Sequence, residues 1–136
     1  MDKVWLGGIY LKDEGGYELI LRSLNYYKKR LRNIRSSPEI KDTPMFAQII
    51  EQEAMKTYKT VSLIITKISE GLQNPESLKD IEQELSTIQK ALICYQTDIK
   101  KMDSDKFYSD LVANKDIANE DLGKIQSALD KITLYC

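Results

Sequence analysis

The sequence predicts an all-α protein, an up-down four-helix bundle of long antiparallel amphipathic helices, with the fourth helix split in two and a short apolar arm in front. Three observations predict it. Leu78, Ile81, Leu85, Ile88, Leu92, Tyr95, Ile99 and Met102 recur at alternating steps of three and four, the seam of an α-helix packing at about 3.5 residues per turn. Two earlier stretches repeat that spacing. The composition, 42% hydrophobic and 30% charged with only six Gly and three Pro in 136 residues, is that of a globular chain with few helix breakers. This length suits one domain that buries roughly two thirds of its unfolded surface. The expected organisation is an arm over residues 1–15 and a helical domain over 16–136.

In the arm, Val4, Trp5, Leu6, Ile9, Tyr10 and Leu11 form an apolar segment interrupted by Gly7 and Gly8, and Gly15 and Gly16 separate it from the first helical stretch. An isolated extended segment leaves its backbone groups unpaired. The arm is therefore expected either to lie across its own bundle, anchored by Trp5, or to exchange with a second subunit through glycine hinges.

The first helix is expected at 16–36, with Tyr17, Ile20, Leu24, Tyr27, Leu31 and Ile34 on one face. It ends before Pro38, because a proline pushes the preceding residue out of the helical region. The second runs from Thr43 and Pro44, a cap and first-turn pair, to Gly71, a suitable C-terminal residue. Phe46, Ile50, Ala54, Tyr58, Val61, Ile65 and Ile68 line its face, while Leu63 and Ile64 lie off it. The second half is then apolar nearly all round, which predicts the most buried helix of the protein. The third is expected at 75–103, with Asn74 as cap, Pro75 in the first turn and Glu76 complementing the dipole. Only three residues separate Gly71 from Pro75, so these two helices are expected to form an antiparallel hairpin.

After Met102 the seam continues through Tyr108, Leu111, Ala118, Leu122, Ile125, Leu129 and Ile132. Asn114, Asp116, Asn119 and Gly123 cluster inside it, and all four are poor choices for a helix interior. Two pieces are expected, at 104–114 and 119–135.

The absent side chains exclude most chemistry. There is no histidine, which removes the commonest general base, the commonest metal ligand and the usual activator of Ser or Cys nucleophiles. A carboxylate magnesium site needs acidic pairs at i, i+3 on two facing helices. The only such pair is Glu39 with Asp42 in an expected loop, and Asp80 with Glu84 at i, i+4 lies off the seam. Two cysteines, Cys94 in a helix and Cys136 at the last position, make neither a disulfide framework nor a four-ligand zinc site. They are expected to be a packed thiol and an exposed one, with a covalent dimer through Cys136 as the alternative. No catalytic residue, metal or cofactor is expected. Apolar runs are far shorter than the roughly twenty residues that span a bilayer. No basic-then-apolar leader is present either, so no membrane and a cytoplasmic location are expected.

The charge is segregated. Residues 1–40 carry eight Lys or Arg against five Asp or Glu, and the remainder twelve against sixteen, in a chain of net charge -1. All four arginines, Arg22, Arg30, Arg32 and Arg35, fall in the first expected helix with Lys28 and Lys29, beside Tyr26 and Tyr27. The arginine fork fits phosphate, so these six cations are the candidate site for RNA or another polyanion. Arg22, Lys29 and Arg32 are expected on an exposed face. Against that reading, cations near a helix end are favoured by the helix's own dipole, and a sequence pI of 5.6 is low for a dedicated nucleic-acid binder. The expectation ranked first is a non-enzymatic module acting through protein contacts, with itself as a homo-oligomer or with another helical protein. Its candidate contacts are Trp5, Leu6 and Tyr10 in the arm and Leu19 and Tyr26, a second apolar stripe on the first helix. An enzyme restricted to carboxylates, Tyr, Lys and Arg ranks last.

Overall fold

The structure, a computed structural model, describes residues 5–6, 9–10, 16–71 and 84–133. Two two-residue strands, β1 (Trp5–Leu6) and β2 (Ile9–Tyr10), pair antiparallel with Trp5 opposite Tyr10 and Leu6 opposite Ile9. The arm thus supplies backbone partners to itself, and β1 lies beside the first helix. The side chains of Trp5, Leu6 and Tyr10, expected as contacts, lie outside the described part of the structure.

Six α-helices are present among the described residues: α1 (Gly16–Arg32), α2 (Pro38–Asp42), α3 (Ala47–Gly71), α4 (Leu85–Lys101), α5 (Lys106–Val112) and α6 (Lys115–Thr133). The all-α expectation holds. α1 stops at Arg32 rather than 36 and passes into a 3-10 turn over Ile34–Ser36. Pro38 then opens α2 instead of merely ending α1, because proline's fixed φ suits a first helical turn. Ser37 is buried between them, its Oγ donating to the Ile34 carbonyl at 2.6 Å. A second 3-10 turn, Pro44–Phe46, leads into α3. The expected cap at Asn74, Pro75 and Glu76, with the start of the 75–103 helix, lies outside the described residues.

The split after Met102 occurs, with different bounds. Asp105 caps α5, its carboxylate accepting the Phe107 N–H at 2.9 Å. Ala113 sits at φ 64, ψ -66, and the Asn114 N–H donates to the Val112 carbonyl at 2.8 Å. This is a γ-turn of the rare strained hand. Asn114 then caps α6, accepting the Ile117 N–H at 3.0 Å. Asp116, Asn119 and Gly123 lie within α6.

The main helix packings are α3 on α1, α1 on α4 and α4 on α6, with α5 closing on α4 and α1. α1 is therefore covered on two sides. Leu19, Ile20, Leu24, Ile68, Leu85, Ile88, Leu92, Ile125 and Ile132 form the fully buried centre. Leu19 and Tyr26, expected as oligomer contacts, are in this core at 0% and 6% exposure. The correction has a simple cause: a helix between two neighbours needs two apolar stripes. The expectation for α3 is also corrected. Ala54, Val61, Ile64 and Ile68 are buried, but Leu63 is 72% exposed, because α3 flanks the packing rather than centring it.

Candidate functional site

The polar residues that the fold draws together lie where α1 meets α4, α5 and α6. Tyr26 and Arg30 stand one turn apart on α1, and Asp98 on α4 accepts from both: from the Tyr26 hydroxyl at 2.6 Å and from Arg30 Nε at 3.0 Å. One helical turn earlier on α4, Cys94 places its Sγ 3.8 Å from the same carboxylate. The Arg30 guanidinium also lies over the rings of Phe107 and Tyr108, 5.0 and 5.6 Å from their centroids. Arg30 and Asp98 are both buried.

A second node repeats the pattern on α6. Asp121, 1% exposed, receives two bonds from Arg22, Nε at 2.8 Å and Nη2 at 2.6 Å, and one from the Tyr95 hydroxyl of α4 at 2.8 Å. The nodes touch through their tyrosines, whose ring centroids are 5.2 Å apart at an interplanar angle of 34°. Each buried carboxylate thus holds one arginine of α1 and one tyrosine, and together they tie α1 to α4 and α6.

The electrostatics derive from burial. Loss of water pushes the Asp98 carboxyl above the usual carboxylate range, and the Tyr26 hydroxyl and Arg30 pull it part of the way back. Burial first, and the adjacent carboxylate second, raise both Tyr26 and Tyr95 well above an ordinary phenol. The hydrogen bond to Asp121 raises the Arg22 guanidinium further. Phenols held protonated at neutral pH are hydrogen-bond donors, neither nucleophiles nor bases. A shallow depression of about 300 Å³ beside the nodes, lined by Arg22, Asn25, Tyr26, Lys29, Tyr95 and Ile117, has both phenol hydroxyls turned inward to the carboxylates. Among the described residues no three Asp, Glu or Cys come together in a way that could hold a metal ion.

The six cations singled out in the sequence do not converge on one surface. Arg22 pairs with α6 and Arg30 with α4, while Lys29 donates to the Leu111 carbonyl at the end of α5 at 2.8 Å. Lys28 lies over the Tyr58 ring of α3 at 5.3 Å, and Arg35 pairs with Glu51 of α3. Arg32 is exposed. Of the three expected on an exposed face, Lys29 and Arg32 are exposed, Lys29 with its Nζ on the Leu111 carbonyl, and Arg22 is half-buried. Sequence reasoning missed Asp98, Asp121 and Tyr95 as partners; their only local signal is a carboxylate or a phenol on the buried side of a seam.

A different feature marks the opposite side of the molecule. Met45, Leu63 and Ile49 are 84%, 72% and 61% exposed, the three highest values for large apolar side chains among the described residues. All three belong to α3 or the turn that opens it, on the side away from Ala54, Val61 and Ile68. Beside them runs an open groove of about 920 Å³, lined among others by Arg35, Ile40, Gln52, Met55 and Lys59. No family model, no curated protein and no solved structure matches this chain.

Proposed function

We propose that this protein is a non-enzymatic helical module that acts through protein contacts, as a homo-oligomer. The observation that carries the reading is the set of exposed apolar side chains Met45, Ile49 and Leu63 on the outer side of α3 and the turn that opens it, since exposed apolar surface on one face marks an association site. The inward pairing of Arg22, Arg30, Asp98, Asp121, Tyr26 and Tyr95 supports the non-enzymatic part. We keep the up-down course of the four long helices in this reading; the short link from α4, which ends at Lys101, to α5, which begins at Lys106, supports it, because helices joined so closely turn back on each other. Light scattering coupled to size exclusion tests the proposal. A mass above the 15.7 kDa of one chain is expected, falling to the monomer for Ile49→Ser with Leu63→Ser while helicity stays unchanged. A monomer at several hundred micromolar for the unaltered protein would overturn it.

A further inference from the structure

We propose that the groove beside the first half of α3 receives an acidic amphipathic helix of another protein, its apolar side on Met55 and its carboxylates on Lys56 and Lys59. The inference goes beyond the self-association proposed above and does not depend on it, because neither Ile49 nor Leu63 lines the groove. Two parts of the chain build the site. Gln48, Glu51, Gln52, Met55 and Lys59 follow one another along α3 at steps of three, one, three and four, while Arg35 and Ile40 come from the turn before α2 and from α2 itself. The ion pair between Arg35 and Glu51 ties the two parts together. From Ala47 to Lys59 the lining extends about 18 Å at 1.5 Å per residue, the length of a helix of three turns.

Charge selects the partner. Three cations, Arg35, Lys56 and Lys59, line the groove against one carboxylate, Glu51, in a chain whose net charge is -1. Arg35 and Glu51 neutralise each other, so an excess of two positive charges is left on the lining. Lys56 lies 3.4 Å from Glu53, an exposed pair that water screens. Lys59 has no counter-ion among the described residues. Gln48 and Gln52 spend no side-chain hydrogen bond on the protein among the described residues either, and their amides can donate to a carboxylate without adding charge. The apolar part of the lining is Ile40, Ala47 and Met55, the last 37% exposed. Apolar surface rimmed by cations fits a helix that carries Leu or Ile on one face and Asp or Glu beside it. A nucleic acid fits less well: no aromatic ring lines the groove for a base to stack on, and Glu51 repels phosphate.

Fluorescence anisotropy tests this with a labelled peptide of about 14 residues, four helical turns, made of Leu on one face and Glu on the rest. Saturable binding to the full chain is expected with a Kd below about 1 mM, weakening as salt rises. The same peptide with Gln in place of every Glu should bind about tenfold more weakly, the size of two exposed ion pairs lost. Lys56→Glu with Lys59→Glu should weaken binding of the Glu peptide by at least as much, with helicity unchanged by circular dichroism. Lys90→Glu with Lys100→Glu, exposed positions of α4 that make the same change in net charge, should leave it unaltered. Met55→Gln, which changes no charge, should weaken it several-fold. Absence of saturable binding, or equal losses for the α3 and α4 pairs, would overturn the proposal. So would preference for a single-stranded RNA over the peptide, which would assign the cations to phosphates. A fall in the oligomer mass on Lys56→Glu with Lys59→Glu would place a second copy of the chain in the groove and overturn it as well.

Discussion

α1 and α3 invert the expectation that the most apolar helix lies deepest. α1 carries Arg22, Arg30 and Arg32 and sits in the middle of the packing, whereas α3, with three adjacent apolar residues at Leu63–Ile65, flanks it and leaves Leu63 in water. The difference lies in partners. A charged side chain goes inside when an opposite charge and a hydrogen bond go with it, as Arg30 does with Asp98. An apolar side chain stays outside when no neighbour covers it. Burial is decided by what the rest of the chain delivers to a face and only then by that face's own hydropathy.

The strongest way to break the contrast is to remove a carboxylate from the buried side. Asp98→Ala leaves the Arg30 guanidinium buried without its counter-charge, and a loss of about 3–5 kcal/mol is expected in urea denaturation. Leu63→Ala, a larger apolar deletion on the α3 side, should change stability by less than about 0.5 kcal/mol in the dilute monomer, as exposed positions do. Equal losses for the two would dissolve the distinction.

Within α1 the cations should separate by partner. Arg22→Gln takes both guanidinium bonds from an Asp121 that is 1% exposed, leaving it the Tyr95 hydroxyl, and should cost about 1–3 kcal/mol. Arg32→Gln, on the exposed side, should be neutral by the same thermal melt. If both are neutral, the Asp121 node contributes nothing to holding α1 against α6.

The smallest effect concerns the joint between α5 and α6. Ala113 occupies a left-handed φ that glycine adopts without strain, so Ala113→Gly should raise the melting temperature, by about 1 kcal/mol of stability. A drop would mean that the alanine's restriction of the unfolded chain outweighs the strain.

The helices themselves were legible because an apolar seam depends only on local spacing. The seams of α1, α3 and α4 and the break after Leu111 could be read in this way. The identity of the break's cap was harder. Asn114, Asp116 and Asn119 are all capping types, and the choice fell to Asn114 because Ala113 turns the chain there. α2 was missed because Ser36, Ser37 and Pro38 stop one helix with the same chemistry that starts the next. The site was mostly illegible. Leu19 and Tyr26 looked spare once the Ile20, Leu24 and Leu31 stripe had been assigned, since one helix in isolation cannot show that it has two neighbours. The cations of α1 looked solvated because their partners lie far along the chain. Which face α3 leaves bare is likewise a property of the packing order.

That distance also orders events as the chain is made. Arg22 and Asp121 are 99 residues apart, and Tyr26 and Asp98 are 72 apart. α1 leaves the ribosome before the groups that neutralise its buried face, Asp98 and Asp121, are made. Until α4 and α6 emerge, α3 is the main helix that can shelter it, and the side of α1 that faces α4 and α6 lacks the partners of Arg22 and Arg30. Contacts that close such long loops set a slow step. The central helix of the finished protein is thus the one that depends longest on the rest of the chain, and on whatever keeps nascent chains apart in the interval.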